Sequence, residues 1–258
     1  MCIIAVAYRA DPRWPLIVAA NRDELHDRPS GSLATWDTDP IVIAGQDLVA
    51  GGTWLGITRT GRFAAVSNVR SNDPYPPTGL SRGKLVLDFL VRAALPTDET
   101  AAAFNPFNMI AIDAETAQFV SNRPEPRRVC VGAGIHAFSN GAFDDEWPKT
   151  FRLKESMRER LSNEPLELHA LFDDLYSDAH RDTGVDTIEN AIFVRNAVYG
   201  TRCSTVMAID DRGRGQIIER RFGPDARLIG ETELAFTWPQ RANASSPCRV
   251  ERAISSRS

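Results

Sequence analysis

Little in this sequence speaks for a metal centre, a disulfide framework or a membrane span. Its four cysteines, Cys2, Cys130, Cys203 and Cys248, lie far apart without a CxxC pair, so neither a zinc site nor a disulfide framework is indicated and a reducing compartment is expected. The four histidines are scattered with no ligand spacing among them, and no metal is assigned. No apolar run approaches the ~20 residues that cross a bilayer. The start, MCIIAVAYRADPRW, has no positive n-region, and Tyr8, Arg9 and Asp11 break its apolar stretch. It reads as mature protein, and a cytoplasmic location is expected. The glycines fit neither GxGxxG nor GxxxxGK[ST], so no phosphate-cradling loop is assigned. Thirty Lys and Arg against 34 Asp and Glu leave a formal charge of −4 with no basic stripe, which makes nucleic acid and anionic membrane surfaces poor partners. No internal repeat is present.

What is present is enough apolar residue, 43% of 258, for one sizeable core. We expect one domain over 1–238 and a disordered tail over 239–258, where the composition turns to Arg, Ala, Asn, Ser and Pro. CIIAVAY, PLIVAAN, PIVIAGQ, GTWLGIT and GRFAAVSNV are short β-like runs separated by turn residues. Ser81 is placed to cap a helix over 84–95 that Pro96 stops. A second strand group, FNMIAID, AQFVSN, RRVCVGAG and IHAFSN, leads into an amphipathic helix over 147–160 and another over 164–176. STVMAID and QIIERRF, joined by a glycine turn, close the pattern. Two packed sheets with flanking helices fit it, as does a sandwich with peripheral helices.

The chemistry-bearing candidates begin with Cys2. Removal of Met1 puts a thiol and an α-amine on one residue, a nucleophile with its own base; the alternative is a small buried hydrophobe opening a strand. Asn21, Arg22, Asp23 and Glu24 follow the apolar run PLIVAA, where opposite charges suit a thiolate or a substrate carboxylate, although a polar loop after a strand is ordinary. Asn68 and Asn140 each end a β-like run and supply amide donors of the oxyanion-hole kind; turn chemistry alone also places asparagine there. Arg202 adds a cation before the strand STVMAID. Trp36, Trp54, Tyr75, Phe143 and Trp147 have the size to line a pocket, with core packing the safer account of any one of them.

MCII, LIVAANRDE followed by RP, AGQDLVAGGTWLGITRTGRFAAVSNVR, SRG, FN, FSN and YGTRCSTV resemble the NRDE family, the relatives of the transport and Golgi organisation protein, over most of residues 1–222. That family is grouped with the N-terminal nucleophile hydrolases, so the resemblance implies an α+β, four-layer αββα sandwich of two antiparallel sheets between helices. Similarity to penicillin V acylases and conjugated bile acid hydrolases further implies Cys2 as nucleophile, Asp23 against its amine, and Asn68 and Asn140 around the oxyanion. The acylases carry an arginine three residues before the aspartate, where this chain has Ala20. Adjacent strand residues face opposite ways, so Asn21, on the face of Asp23, is expected as its partner in place of Arg22. Arg202 and Trp54 are secondary candidates. The implied function is hydrolysis or transfer at a non-peptide C–N or acyl bond of a small acyl substrate, with no cofactor. The alternative implied by the family is a haem or lipid carrier on the same scaffold; no oligomeric state is assigned.

Overall fold

The computed structural model describes residues 2–69, 79–177 and 190–239. All but Pro239 of the expected tail over 239–258, and Tyr75, lie outside them. In chain order the elements are β1 (Cys2–Asp11), β2 (Trp14–Leu25), β3 (Ser30–Trp36), β4 (Val42–Asp47), β5 (Leu55–Thr58), β6 (Arg62–Asn68), α1 (Gly83–Arg92), α2 (Asp98–Ala102), β7 (Phe107–Ile112), β8 (Ala117–Ser121), β9 (Arg127–Cys130), β10 (Gly134–Phe138), α3 (Pro148–Ser162), α4 (Ala170–Leu175), β11 (Tyr199–Ile209), β12 (Arg214–Phe222) and β13 (Leu228–Thr237). They form two antiparallel sheets, one in the order β10-β1-β2-β11-β12-β13 and the other β3-β4-β5-β6-β7-β8-β9.

Strand alternation turns these sheets into four layers. On β1 and β2, Ile4, Val6, Leu16, Val18 and Ala20 pack against Ile43, Leu55, Ile57, Phe63, Ala65 and Ile110 of the second sheet. The opposite face, Ile3, Ala5, Ile17 and Ala19, meets Leu153 and Met157 of α3 and Leu171, Phe172 and Leu175 of α4. Val42, Ala44, Ala64, Val66 and Met109 cover the outer face of the second sheet against Leu85, Val86, Phe89 and Leu90 of α1. Central strands buried on both faces carry unbroken apolar runs, which is why PLIVAA shows no polar alternation. Burying a side chain such as Phe63, Phe107 or Phe119, each at most 1% exposed, contributes about 1.5–3 kcal/mol. The αββα architecture expected from the resemblance is the one observed.

Three local readings differ. The predicted Ser81 cap is absent: Arg82 is the N-cap of α1 and gives no side-chain cap bond, and the helix stops at Arg92 because Ala93 turns left-handed, with φ 55°. The predicted helix over 164–176 shrinks to Ala170–Leu175; Leu166 and Leu168, which alternate with polar residues, pack against the core ahead of it, Leu168 within the turn that leads into the helix. Cys130 is disulfide-bonded, its partner outside the described residues; cysteine spacing excludes clustered frameworks but not a single long-range bridge.

The start of α1 is seated on a glycine. A Cβ on Gly52 would stand 2.5 Å from the Gly83 carbonyl carbon and 2.7 Å from its oxygen, both backbone atoms with nowhere to go. Gly52→Ala is therefore expected to destabilise the protein by about 1–3 kcal/mol, read as a lower denaturant midpoint at unchanged slope. A midpoint equal to wild type would show that this contact is not tight.

Candidate active site

Register decides which side chain meets Cys2. Within β1 and β2, Tyr8 pairs with Leu16 and Cys2 with Arg22, whereas nearer the turn Asp11 pairs with Trp14. Carrying the Asp11–Trp14 pairing straight back along the hairpin would put Cys2 opposite Asp23. Instead β1 holds one extra residue around Arg9, whose φ is +49°, and this bulge moves the pairing by one. Directly opposed residues share a face. Arg22 therefore stands with Cys2 between the sheets, and Asp23 turns to the helix layer. The expectation that Asp23 and Asn21 would face Cys2 in place of Arg22 is overturned by that single residue. Ala20 lies on the same face as Arg22.

Arg22 is 6% exposed. Its guanidinium lies 4.4 Å from the centre of the Trp54 ring, an arrangement that stabilises a desolvated cation by about 0.5–2 kcal/mol. Glu24 reaches it only at 3.9 Å, and Nη1 has no hydrogen-bond partner among the described residues. Cys2, Arg22, Asp23, Glu24, Arg28, Thr53, Trp54, Asn68, Ser81 and Arg82 are among the residues lining a cavity of about 290 Å³. Arg28 is occupied there by Asp47 at 2.8 Å, and the Arg82 guanidinium donates to the Pro106 carbonyl.

The remaining candidates act from behind this surface. Asp23 is buried and accepts from the Thr201 hydroxyl at 2.6 Å, while its backbone N–H bonds the Cys2 sulfur. Asn21 is a structural tie: its amide donates to the Leu175 and Ile192 carbonyls, and its oxygen accepts from Ser204. Asn140 donates to the Asn68 carbonyl at 2.8 Å and accepts from Ser139, and the Ser139 hydroxyl donates to the Cys2 carbonyl. Ser67 and Asn108 both donate to the Ser139 carbonyl. This network clamps the first residue of β1 to the ends of β6, β7 and β10. Asn68 lines the cavity; Asn140 holds Asn68. Arg202 is the extra residue of a second bulge, between Thr201 and Cys203, and its guanidinium donates to the carbonyls of Leu25, His26 and Arg28, away from Cys2.

Electrostatics make the thiol a poor nucleophile without a base. Burial pushes the Cys2 thiol up, and the Asp23 charge adds to this; the amino terminus, the Asp23 N–H and Arg22 oppose it. Burial likewise raises Asp23, against the amino terminus, Thr201, Lys149 and Arg22. Lys149, 1% exposed at the start of α3, is pushed down by burial, and the charges of Asp23 and Cys2 resist that shift. Sequence reasoning missed Lys149 and Glu219. Lys149 carries no signal, being a lysine in the first turn of an amphipathic helix. Glu219 had one: it shares the strand parity of the apolar Ile217, so it had to enter the core. Among the described residues no group of three His, Cys, Asp or Glu is placed to hold a metal ion, and no helix is long and apolar enough to cross a membrane.

A family model described as Transport and Golgi organisation 2 matches residues 1–224. The Transport and Golgi organization 2 homolog of Mus musculus is 31% identical over 258 residues, 85% of this chain and 92% of that protein. The Homo sapiens homolog is 30% identical over 264 residues, again 85% and 92%. Among solved structures, the N-acylethanolamine-hydrolyzing acid amidase ortholog of Caenorhabditis elegans superposes with a TM-score of 0.53 at 14% identity, over 80% of this chain and 92% of that one. At that identity the likeness is one of fold.

Proposed function

We propose that this chain, which belongs to the Transport and Golgi organisation 2 family, is a cysteine N-terminal nucleophile hydrolase or acyltransferase acting on a small amide or thioester. The observation that carries the reading is Cys2 at the first strand position, on a cavity wall, with the unpartnered Nη1 of a buried arginine in the opposing register position. Amide hydrolysis by the C. elegans amidase shows that the fold accommodates such chemistry. Once Met1 is removed, the α-amine of Cys2 takes the thiol proton as sulfur bonds to the carbonyl carbon. The tetrahedral oxygen is held by the Asn68 amide and the Arg22 guanidinium. Collapse breaks the C–N or C–S bond and returns the proton from the ammonium to the leaving group. Water or an acceptor nucleophile, deprotonated by the same amine, then bonds to the acyl carbon; the C–S bond to Cys2 breaks, the acyl product leaves and the proton returns from the ammonium to the sulfur. Asp23 holds the amine from the helix side and Asn140 fixes Asn68.

The haem or lipid carrier reading has no specific support. The cavity lining holds six charged side chains, Arg22, Asp23, Glu24, Arg28, Asp47 and Arg82, a poor match for the broad apolar faces of either ligand. Intact-mass analysis after incubation with an activated acyl thioester tests the enzyme reading. The expected spectrum lacks Met1 and carries one acyl group, mapped to Cys2 and absent in Cys2→Ala. Retained Met1, or acylation that persists in Cys2→Ala, overturns it.

A further inference from the structure

A second acid lies in the same inter-sheet layer, deeper than the cavity. Glu219 on β12 is 2% exposed. One carboxylate oxygen accepts the Leu33 N–H at 2.8 Å across the two sheets. The other lies where Gly45 has no side chain: a Cβ there would come within 3.1 Å of it and within 2.5 Å of the Trp54 ring. Gly45 thus makes room for Trp54 and Glu219 together, and Arg22 stacks on that same Trp54. Cys203, which pairs with Arg22 on β11, gives its S–H to Glu219. Two donors aimed at one carboxyl group suit its ionised form, which only accepts. Arg22 is thus linked to Glu219 twice, through Trp54 beside Gly45 and through its strand partner Cys203, and it pairs with Cys2 on β1.

We propose that Glu219 is the internal counter-charge to Arg22, and that through Arg22 it governs how readily the Cys2 thiol loses its proton. A buried guanidinium with an unpartnered nitrogen attracts whichever anion is nearest. With Glu219 ionised, part of that field is spent inside the sandwich and less reaches the sulfur. Glu219 is a positioning residue in this scheme, since it acts on Arg22 and touches no reacting atom. The other groups facing it are Arg221 on its own strand and Cys203 on β11; those acting on Cys2 are Asp23, Arg22, the amino terminus and, from α3, Lys149. Burial raises Glu219 from its ordinary range, and the Leu33 N–H, Arg221, the Cys203 S–H and Arg22 oppose that rise.

The inference rests on Cys2 as the reactive group, but its test reads ionisation and not turnover, so either can fail alone. Full-length protein is alkylated with iodoacetamide across a pH series, and modification of the Cys2 peptide is followed by mass spectrometry, apart from that of Cys203. In Glu219→Gln the midpoint is expected to fall by about half a pH unit or more, and in an Arg22→Met background the same change should produce less than half that shift. A structural role alone would move thermal stability and leave the midpoint in place. An unchanged midpoint, or equal shifts with and without Arg22, overturns the proposal. Glu219→Met removes the same charge and is read the same way if the Gln variant does not fold. Failure of both to fold overturns it as well, since Glu219 would then serve the sheet interface.

Discussion

Cys2→Ala is expected to lower turnover of any N-acyl amide or acyl thioester that the wild-type protein hydrolyses by about 10³-fold or more, with the fold intact by circular dichroism. Cys203, the other free thiol among the described residues, donates its S–H to Glu219 and is held well above the ordinary thiol range by burial. The companion variant inserts Glu between Met1 and Cys2, which keeps Met1 in place and leaves the thiol without an adjacent amine. Because burial raises that thiol, loss of its base should cost about 10²- to 10⁴-fold. A Cys2→Ala protein with wild-type kcat/KM, or an insertion variant with full activity, would end the reading of Cys2 as a self-contained nucleophile and base.

The second large effect belongs to Arg22. Arg22→Met keeps an unbranched side chain against Trp54 and removes the charge that pairs with Cys2 across the two strands. We expect kcat/KM to fall about 10²- to 10³-fold, the size found for removing one preorganised donor from a developing oxyanion, with most of the loss in kcat. The midpoint of Cys2 alkylation should rise at the same time, because Arg22 opposes the burial that raises the thiol. The sign follows from charge: a nearby cation favours the thiolate, so removing it shifts ionisation to higher pH. Arg22→Lys, a point charge that cannot stack as a plane, should recover part of both. If Arg22→Met changed KM alone, Arg22 would bind substrate and take no part in the chemical step.

Much of this was legible in the sequence. Apolar runs, their turn residues and the pause for helices marked both sheets, and the motif resemblance supplied the layer count. Cys2, Asn68, Trp54 and the Asn21 to Glu24 block were singled out, and they do gather at one end of the sandwich. Three things were hidden for stated reasons. A bulge is a count of residues between paired strands, and nothing in YRADPRW announces one. Asn140 and Arg202 bear the right functional groups, but their donors are spent on carbonyls at 2.8–3.1 Å, which only packing reveals. Lys149 reaches Asp23 from α3, a segment more than 100 positions away in the chain.

The bulge at Arg9 gives the first hairpin something like a reading frame. Residues between the sulfur and the NRDE block are read in twos, one side toward the cavity and the other toward the helices. One residue more or fewer in that interval brings Asp23 or Asn21 across from the thiol in place of the cation, without altering a letter of the motif. A change of two keeps the face but sets Glu24 or Ala20 there in place of the cation. For relatives of this protein, the length of the interval is thus as informative as the motif itself, and two chains with identical NRDE letters but intervals of opposite parity present different chemistry to the same cysteine.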